Sequence, residues 1–241
     1  MRYFGGKFRV RKQIAEFLNS YNPKYYLEPF CGSAWVAELI ISDTRVCCDM
    51  NADLIALFMA VQSGWEPPDF ISEQEYASAK MLTSPNPLRA FCGFGCSFAG
   101  KFFGGYARGG HGADAKTAKS QLIKRMYAKT AKSQGLTNVE FCHCDFELAL
   151  ELFDSADLIY CDPPYIGTTK FYGTPDFDTN HFWSVIRSQA QNGKNIFVSE
   201  YTCPDDFVSC LEIPTRTDIR SATGILLPRV EKLFTYKKRE E

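Results

Sequence analysis

Short apolar runs and amphipathic stretches take turns along this chain, and their spacing predicts its elements. Ile14, Ala15, Phe17 and Leu18 recur at helical intervals, so residues 11–18 read as a helix. Residues 25–27 read as a short strand, with a helix expected from about 34 to 41. Residues 45–48 form the next strand, and Asn51 opens a helix running to about 61. After a break the alternation resumes. Strands are expected over 139–142, 158–161, 195–199 and 230–237, with helices over 149–153 and 182–190. Strands and helices in alternation predict an α/β fold around a mostly parallel sheet. The break begins at Trp65-Glu66-Pro67-Pro68. It divides the chain into a main domain, 1–65 with 136–241, and a mainly helical insertion, 66–135. A basic helix from 118 to 132 leads back to the sheet.

Composition narrows the class. Of 241 residues, 45% are hydrophobic, enough for a sizeable core and against disorder. Net charge is −1, so any binding of nucleic acid has to come from a local excess of charge. The insertion has one: from Lys80 to Lys132 ten lysines and arginines face a single acid, Asp114. No apolar run suits a signal peptide or a membrane span, so a cytoplasmic protein without membrane contact is expected. Ten cysteines raise the question of zinc. Cys92 and Cys96 lack the usual ligand spacing, and Cys142 and Cys144 are expected to diverge. Reduced, mostly buried thiols and no metal are therefore the expectation.

Candidate chemistry gathers at strand ends. The apolar run 158–161 stops at Asp162-Pro163-Pro164-Tyr165, where two prolines forbid both helix and ladder. An acid and an aromatic are thereby fixed just past a strand's carboxyl end, where open α/β sheets bind ligands. A carboxylate and the Pro163 carbonyl can accept hydrogen bonds from an amine, and the Tyr165 ring can stack on a planar base. Read alone, the four residues are equally a proline turn with a solvated acid. Glu28-Pro29-Phe30-Cys31-Gly32-Ser33 is a strand end followed by a glycine turn. Asp49 lies 21 residues after Glu28, the place where such folds hold ribose hydroxyls, although a helix cap is an alternative. Asp145 and Phe146 follow the next strand and suit a purine, with capping equally open. At the amino terminus Gly5-Gly6-Lys7 combines close backbone approach with a cation. Within the insertion, residues 91–106 interleave phenylalanines, glycines and Lys101. Arg89, Lys101 and Arg108 are candidates for DNA contact, the phenylalanines being mostly a small core. The polar loop 166–173 is read as mobile and closing over a nucleotide, with Lys170 near phosphate.

Together, GGK, EPF-C-G, the acid at 49, the basic insertion and DPPY resemble the Dam-type, alpha-class DNA adenine-N6 methyltransferases, compact phage-like members especially. The resemblance covers about 1–65 and 136–241. It implies a Rossmann-like S-adenosylmethionine-dependent methyltransferase sheet with an inserted target-recognition domain, acting on double-stranded DNA as a monomer or weak dimer. It implies that Tyr3, Lys7, Glu28, Pro29, Phe30 and Gly32 surround the cofactor's methionine end. Asp49 would meet the ribose, and Asp145 with Phe146 the adenine. Asp162, Pro163, Pro164 and Tyr165 would hold the target base, with Asp162 also bordering the cofactor. The family's F-x-G-x-G departs here, because Ala34 stands at the second glycine. Rival readings are amino methylation of cytosine N4, RNA adenine or protein glutamine, or an inactive DNA-binding methyltransferase fold.

Overall fold

The computed structural model describes residues 1, 3, 5–108, 115–130, 133–165, 177–215 and 229–237. Its frame is a seven-stranded sheet. The strands are β1 (Tyr25–Glu28), β2 (Thr44–Asp49), β3 (Val139–His143), β4 (Leu158–Cys161), β5 (Asn195–Glu200), β6 (Phe207–Thr215) and β7 (Arg229–Tyr236). Their order is β3-β2-β1-β4-β5-β7-β6. The first five run parallel, while β7 pairs antiparallel with both β5 and β6. The strand order reverses between β1 and β4, so a crevice opens beyond their carboxyl ends, at Glu28 and Asp162.

The helices are α1 (Arg11–Asn19), α2 (Ala52–Gln62), α3 (Glu73–Lys80), α4 (Pro87–Ala90), α5 (Ala115–Tyr127), α6 (Phe146–Leu152) and α7 (Thr179–Gln191). Local chemistry explains their starts. Asn51 and Asp178 cap α2 and α7 through the amides of Leu54 and His181. Ser72 and Glu75 form a reciprocal capping box on α3.

Several boundaries differ from the sequence-based expectation. The helix expected over 34–41 shrinks to one 3-10 turn, Ala37–Leu39, because the chain is folded back at Ala34 with φ 52°. Helix α5 begins at Ala115 and ends at Tyr127, three residues before and five before the expected bounds. Strand β6 and helices α3 and α4 were not anticipated. β6 is an edge strand with an irregular pattern of exposure, so it lacks a clean alternation.

Two apolar cores lie against the sheet. One joins Ile14, Leu18, Tyr26, Phe58 and Phe197 to Phe91, Phe94, Leu122 and Met126 from the 66–135 stretch. The other joins Leu27, Val46, Ile159 and Val198 to Leu150, Phe182 and Trp183. Residues 66–135 therefore share a core with the sheet rather than standing apart from it. Leu122→Ala, fully buried in that shared core, is expected to cost about 2–5 kcal/mol. Chemical denaturation followed by both fluorescence and circular dichroism should show one shifted transition, not loss of a separate early one.

Candidate active site

Strand β4 delivers Asp162 to the crevice, and the prolines turn the chain so that Tyr165 stands beside it. Lys7 Nζ donates to Asp162 Oδ1 at 2.6 Å and lies 3.6 Å from Glu231 Oε1 on β7. It also sits 4.5 Å from the centre of the Tyr165 ring. The Tyr165 hydroxyl donates to Glu231 Oε1 at 2.5 Å, and the Tyr201 ring packs edge-on at 4.8 Å. Three distant segments thus meet on one ammonium. Burial opposes the Lys7 charge, but Asp162 and Glu231 outweigh it and hold its pKa above the ordinary lysine value. Burial pushes the Asp162 carboxyl up to about 6, against the pull of Lys7 and with the help of Glu231. Pro163 is buried and Pro164 exposed.

The neighbouring turn after β1 is built on two left-handed residues, Gly32 (φ 45°) and Ala34 (φ 52°). Ala34 adopts a left-handed backbone that glycine takes most readily, so the turn forms here without a glycine at that position. A methyl at position 32 would come within 3.0 Å of the Tyr3 ring, so glycine there lets Tyr3 lie against the backbone. Asp49 accepts the amides of Gly32 and Asn51, each at 2.8 Å, and ties the turn to β2. Capping of α2 falls to Asn51, not Asp49. Glu28 is buried under the turn and accepts from the Tyr26 hydroxyl at 2.7 Å. Burial pushes its carboxyl up to about 8, against that hydrogen bond. Pro29 is buried beside it. The Ser33 hydroxyl is buried and has no hydrogen-bond partner among the described residues.

A group from the other side of the chain holds this turn. Arg125 on α5 donates to the carbonyls of Ser33 and Ala34, each at 2.8 Å, and to Glu38 at 2.6 Å. Its guanidinium lies 3.6 Å from the centre of the Trp35 ring. Along the same sheet edge, Phe30 stacks on Phe146 at 5.4 Å, with Phe177 and Phe182 packed around them. Asp145 is exposed and caps α6 through the Leu148 amide at 2.8 Å.

The basic insertion looks different in three dimensions. Arg125 is buried, and Arg89 pairs with the buried Asp53 while packing over Phe102 and Phe103. Lys119 meets Glu66 and Asp69, and the exposed Arg108 meets Glu73. Each of those acids lies before Lys80, so counting charge from Lys80 to Lys132 overstated the excess. Lys101 is half-buried near the tip of the loop, and Lys170 lies outside the described residues, as does all of the 166–173 loop. Phe91 and Phe94 are core, but Phe98 is 71% exposed. It begins a tight turn between the bridged residues Ser97 and Tyr106, with Ala99 and Phe103 both left-handed. Glu231, Arg125 and Phe98 were all missed. Glu231 sits in a strand whose sequence gives no sign that its acid faces Lys7. Arg125 was indistinguishable from its solvated neighbours, and Phe98 from the buried phenylalanines.

A parallel sheet that carries an antiparallel β7 beyond its switch point is consistent with a Rossmann-like methyltransferase fold. The family model of the D12 class N6 adenine-specific DNA methyltransferases matches residues 3–87 and 106–205. That is well over half of the chain, which belongs to this family and is an adenine-specific DNA methyltransferase. It is similar to the retron Ec67 DNA adenine methylase of Escherichia coli, with 24% identity over 231 residues covering 83% of this chain and 75% of that protein. Residues 88–105, with Arg89, Phe98 and Lys101, lie outside the family match, as does Glu231. Among the described residues no helix is long and apolar enough to cross a membrane.

Replacing Arg125 by alanine removes the ion-pair partner of the Glu38 carboxylate and a donor from the carbonyls of Ser33 and Ala34. Breaking a buried pair in this way is expected to cost about 3–5 kcal/mol. Urea denaturation of Arg125→Ala beside Lys124→Ala, a change two turns of chemistry away in consequence but one residue away in sequence, should show the loss only in the former.

Proposed function

We propose that this chain carries a methyl group from S-adenosylmethionine to N6 of an adenine flipped out of duplex DNA, by direct in-line transfer. The observation that carries this reading is the Lys7–Asp162 pair with Tyr165 beside it at the switch point. Two carboxyl groups, Asp162 and Glu231, face one ammonium there, so the crevice favours a further positive charge. The adjoining turn offers a polar group: among the described residues the Ser33 hydroxyl has no partner, and Gly32 lets Tyr3 lie against the turn. Tyr3, Lys7, Glu28, Pro29, Phe30 and Gly32 would hold the cofactor's methionine end, Asp49 the ribose, and Asp145 with Phe146 the adenine. When bound, the cofactor supplies a methyl group already activated by its sulfonium charge.

The chain's own residues then have to prepare the amine. The adenine N6 lone pair is delocalised into its ring and is a poor nucleophile. Lys7 donates to Asp162 Oδ1, and the carboxylate has further lone pairs with which to accept from the amino group. With the Pro163 carbonyl accepting a second bond, the nitrogen becomes more tetrahedral and its lone pair more available. This is catalysis by position and electrostatics. Tyr165, its hydroxyl fixed by Glu231, presents a ring for the flipped base. Extrusion costs a few kcal/mol, and stacking returns about 1–3 kcal/mol. Phosphate contacts by Lys101, Arg108 and Lys170 would add to binding, as would Arg89 if it exchanged Asp53 for DNA.

Unmethylated DNA treated with the protein and S-adenosylmethionine should show N6-methyladenine at one short motif by single-molecule sequencing. Asp162→Ala should abolish the signal while keeping most DNA affinity; equal activity would refute the role. Because the acceptor form of Asp162 is lost as pH falls through about 6, the methylation rate should drop there with a one-proton slope. A flat profile between pH 5 and 7.5 would remove Asp162 as the titrating acceptor.

Duplex binding should separate the insertion's roles. Phe98→Ala is expected to weaken binding by about 1–3 kcal/mol if it stacks on a base, with little change in salt dependence. Arg108→Ala should reduce the slope of log affinity against log salt by about 1. Unchanged affinity across a salt series would take either residue out of the interface.

A further inference from the structure

We propose that Cys48, Cys142 and Cys144 form a binding site for a thiophilic d10 cation of the zinc and cadmium kind, beside the cofactor crevice. Their sulfur atoms all lie within 4.8 Å of one another. Cys48 and Cys142 are register partners on β2 and β3, so they share one face of the sheet. Cys142 and Cys144 were expected to diverge, and they converge instead. Side chains two apart on an extended chain lie on the same face, which brings Cys144 to the same side just past the end of β3.

The geometry is close to that of a bound ion. Metal–sulfur bonds of about 2.3 Å place three sulfurs about 4 Å apart around a shared ion, so the thiols need to close by less than about 1 Å. Cys48 and Cys144 are buried and Cys142 is half-buried, which gives a way in from one side. Burial pushes the Cys144 thiol up to about 11 and raises Cys48 further still. A bound cation has to displace thiol protons. Among the described residues no fourth histidine, cysteine or acid joins the group, and His143 is turned toward the Met50 carbonyl. The fourth position is left for solvent. Three soft ligands and an open position suit zinc and cadmium and exclude magnesium or calcium, which take oxygen ligands.

The position gives the site a consequence. Cys48 immediately precedes Asp49, and Cys144 precedes Asp145, the residues assigned to ribose and cofactor adenine. Drawing the sulfurs together pulls on both strand ends. A bound cation should therefore weaken the cofactor, and by linkage the cofactor should weaken the cation to the same degree. This coupling rests on the cofactor reading above, whereas binding of the cation does not.

The test is a cadmium titration of the full-length, reduced protein, read by the sulfur-to-cadmium charge-transfer absorption and by release of protons to a pH indicator. One equivalent should bind, zinc should compete, and Cys142→Ser and Cys144→Ser should each lose the band. Cys203→Ser and Cys210→Ser, distant half-buried thiols, should retain it. Absence of a stoichiometric band, or its persistence in both Cys142→Ser and Cys144→Ser, overturns the site. Cofactor affinity measured with and without one equivalent of cadmium should fall several-fold in the wild type and stay unchanged in Cys142→Ser. A bound cation with unaltered cofactor affinity overturns the coupling. Cadmium binding in a protein that fails to bind S-adenosylmethionine at all would strike instead at the cofactor reading.

Discussion

A lysine buried between two acids sets the terms for this site. Lys7 comes from the start of the chain, Asp162 from the end of β4 and Glu231 from β7, so the contact closes only when the sheet has formed. None of the three is comfortable alone: burial disfavours the Lys7 ammonium and the Asp162 carboxylate alike. The two acids keep Lys7 charged and Lys7 favours the Asp162 carboxylate, whereas Glu231 opposes it, so one ammonium faces two carboxyl groups. The same imbalance that costs stability gives the crevice its preference for a cation. Lys7 draws Asp162 back toward its acceptor form, and Glu231 fixes the phenol of Tyr165.

The adjoining turn depends on a different constraint. Backbone bent through two left-handed residues leaves carbonyls pointing inward, and these have to be satisfied. Arg125 does this from α5, with Glu38 balancing its charge and Trp35 covering its face. The helix that follows the DNA-contact candidates is thus bonded to the turn expected to hold the cofactor. Asp49 supports the turn from the other side through the Gly32 amide. The shape of the turn is accordingly maintained by its neighbours, which is how an alanine can stand at a left-handed position that favours glycine.

Much of this was legible in the residues themselves. Buried strands such as Leu158–Cys161 announce themselves as short β-prone apolar runs, and the proline pair after Asp162 marks where the strand ends. The positions of Lys7, Asp49 and Asp162 follow from strand ends and the glycine turn. Side-chain direction and partnership were not legible. Arg125 and Lys124 are adjacent cations on one helix, yet α5 turns Arg125 into the core and leaves Lys124 exposed. Arg89 and Arg108 each find an acid from before the insertion's own basic stretch, a pairing that charge counts along the chain cannot reveal. Glu231 was hidden because β7 enters the sheet antiparallel from far along the sequence, and only the register with β5 places it by Lys7.

The central claim is that Lys7 and Asp162 act as one unit. Single-turnover methylation by Lys7→Met, Asp162→Asn and the double variant measures this directly, with folding of each checked by circular dichroism. If the pair works together, the double variant should be little slower than the slower single variant. Losses that multiply would mean that the two residues act independently, and would contradict the account.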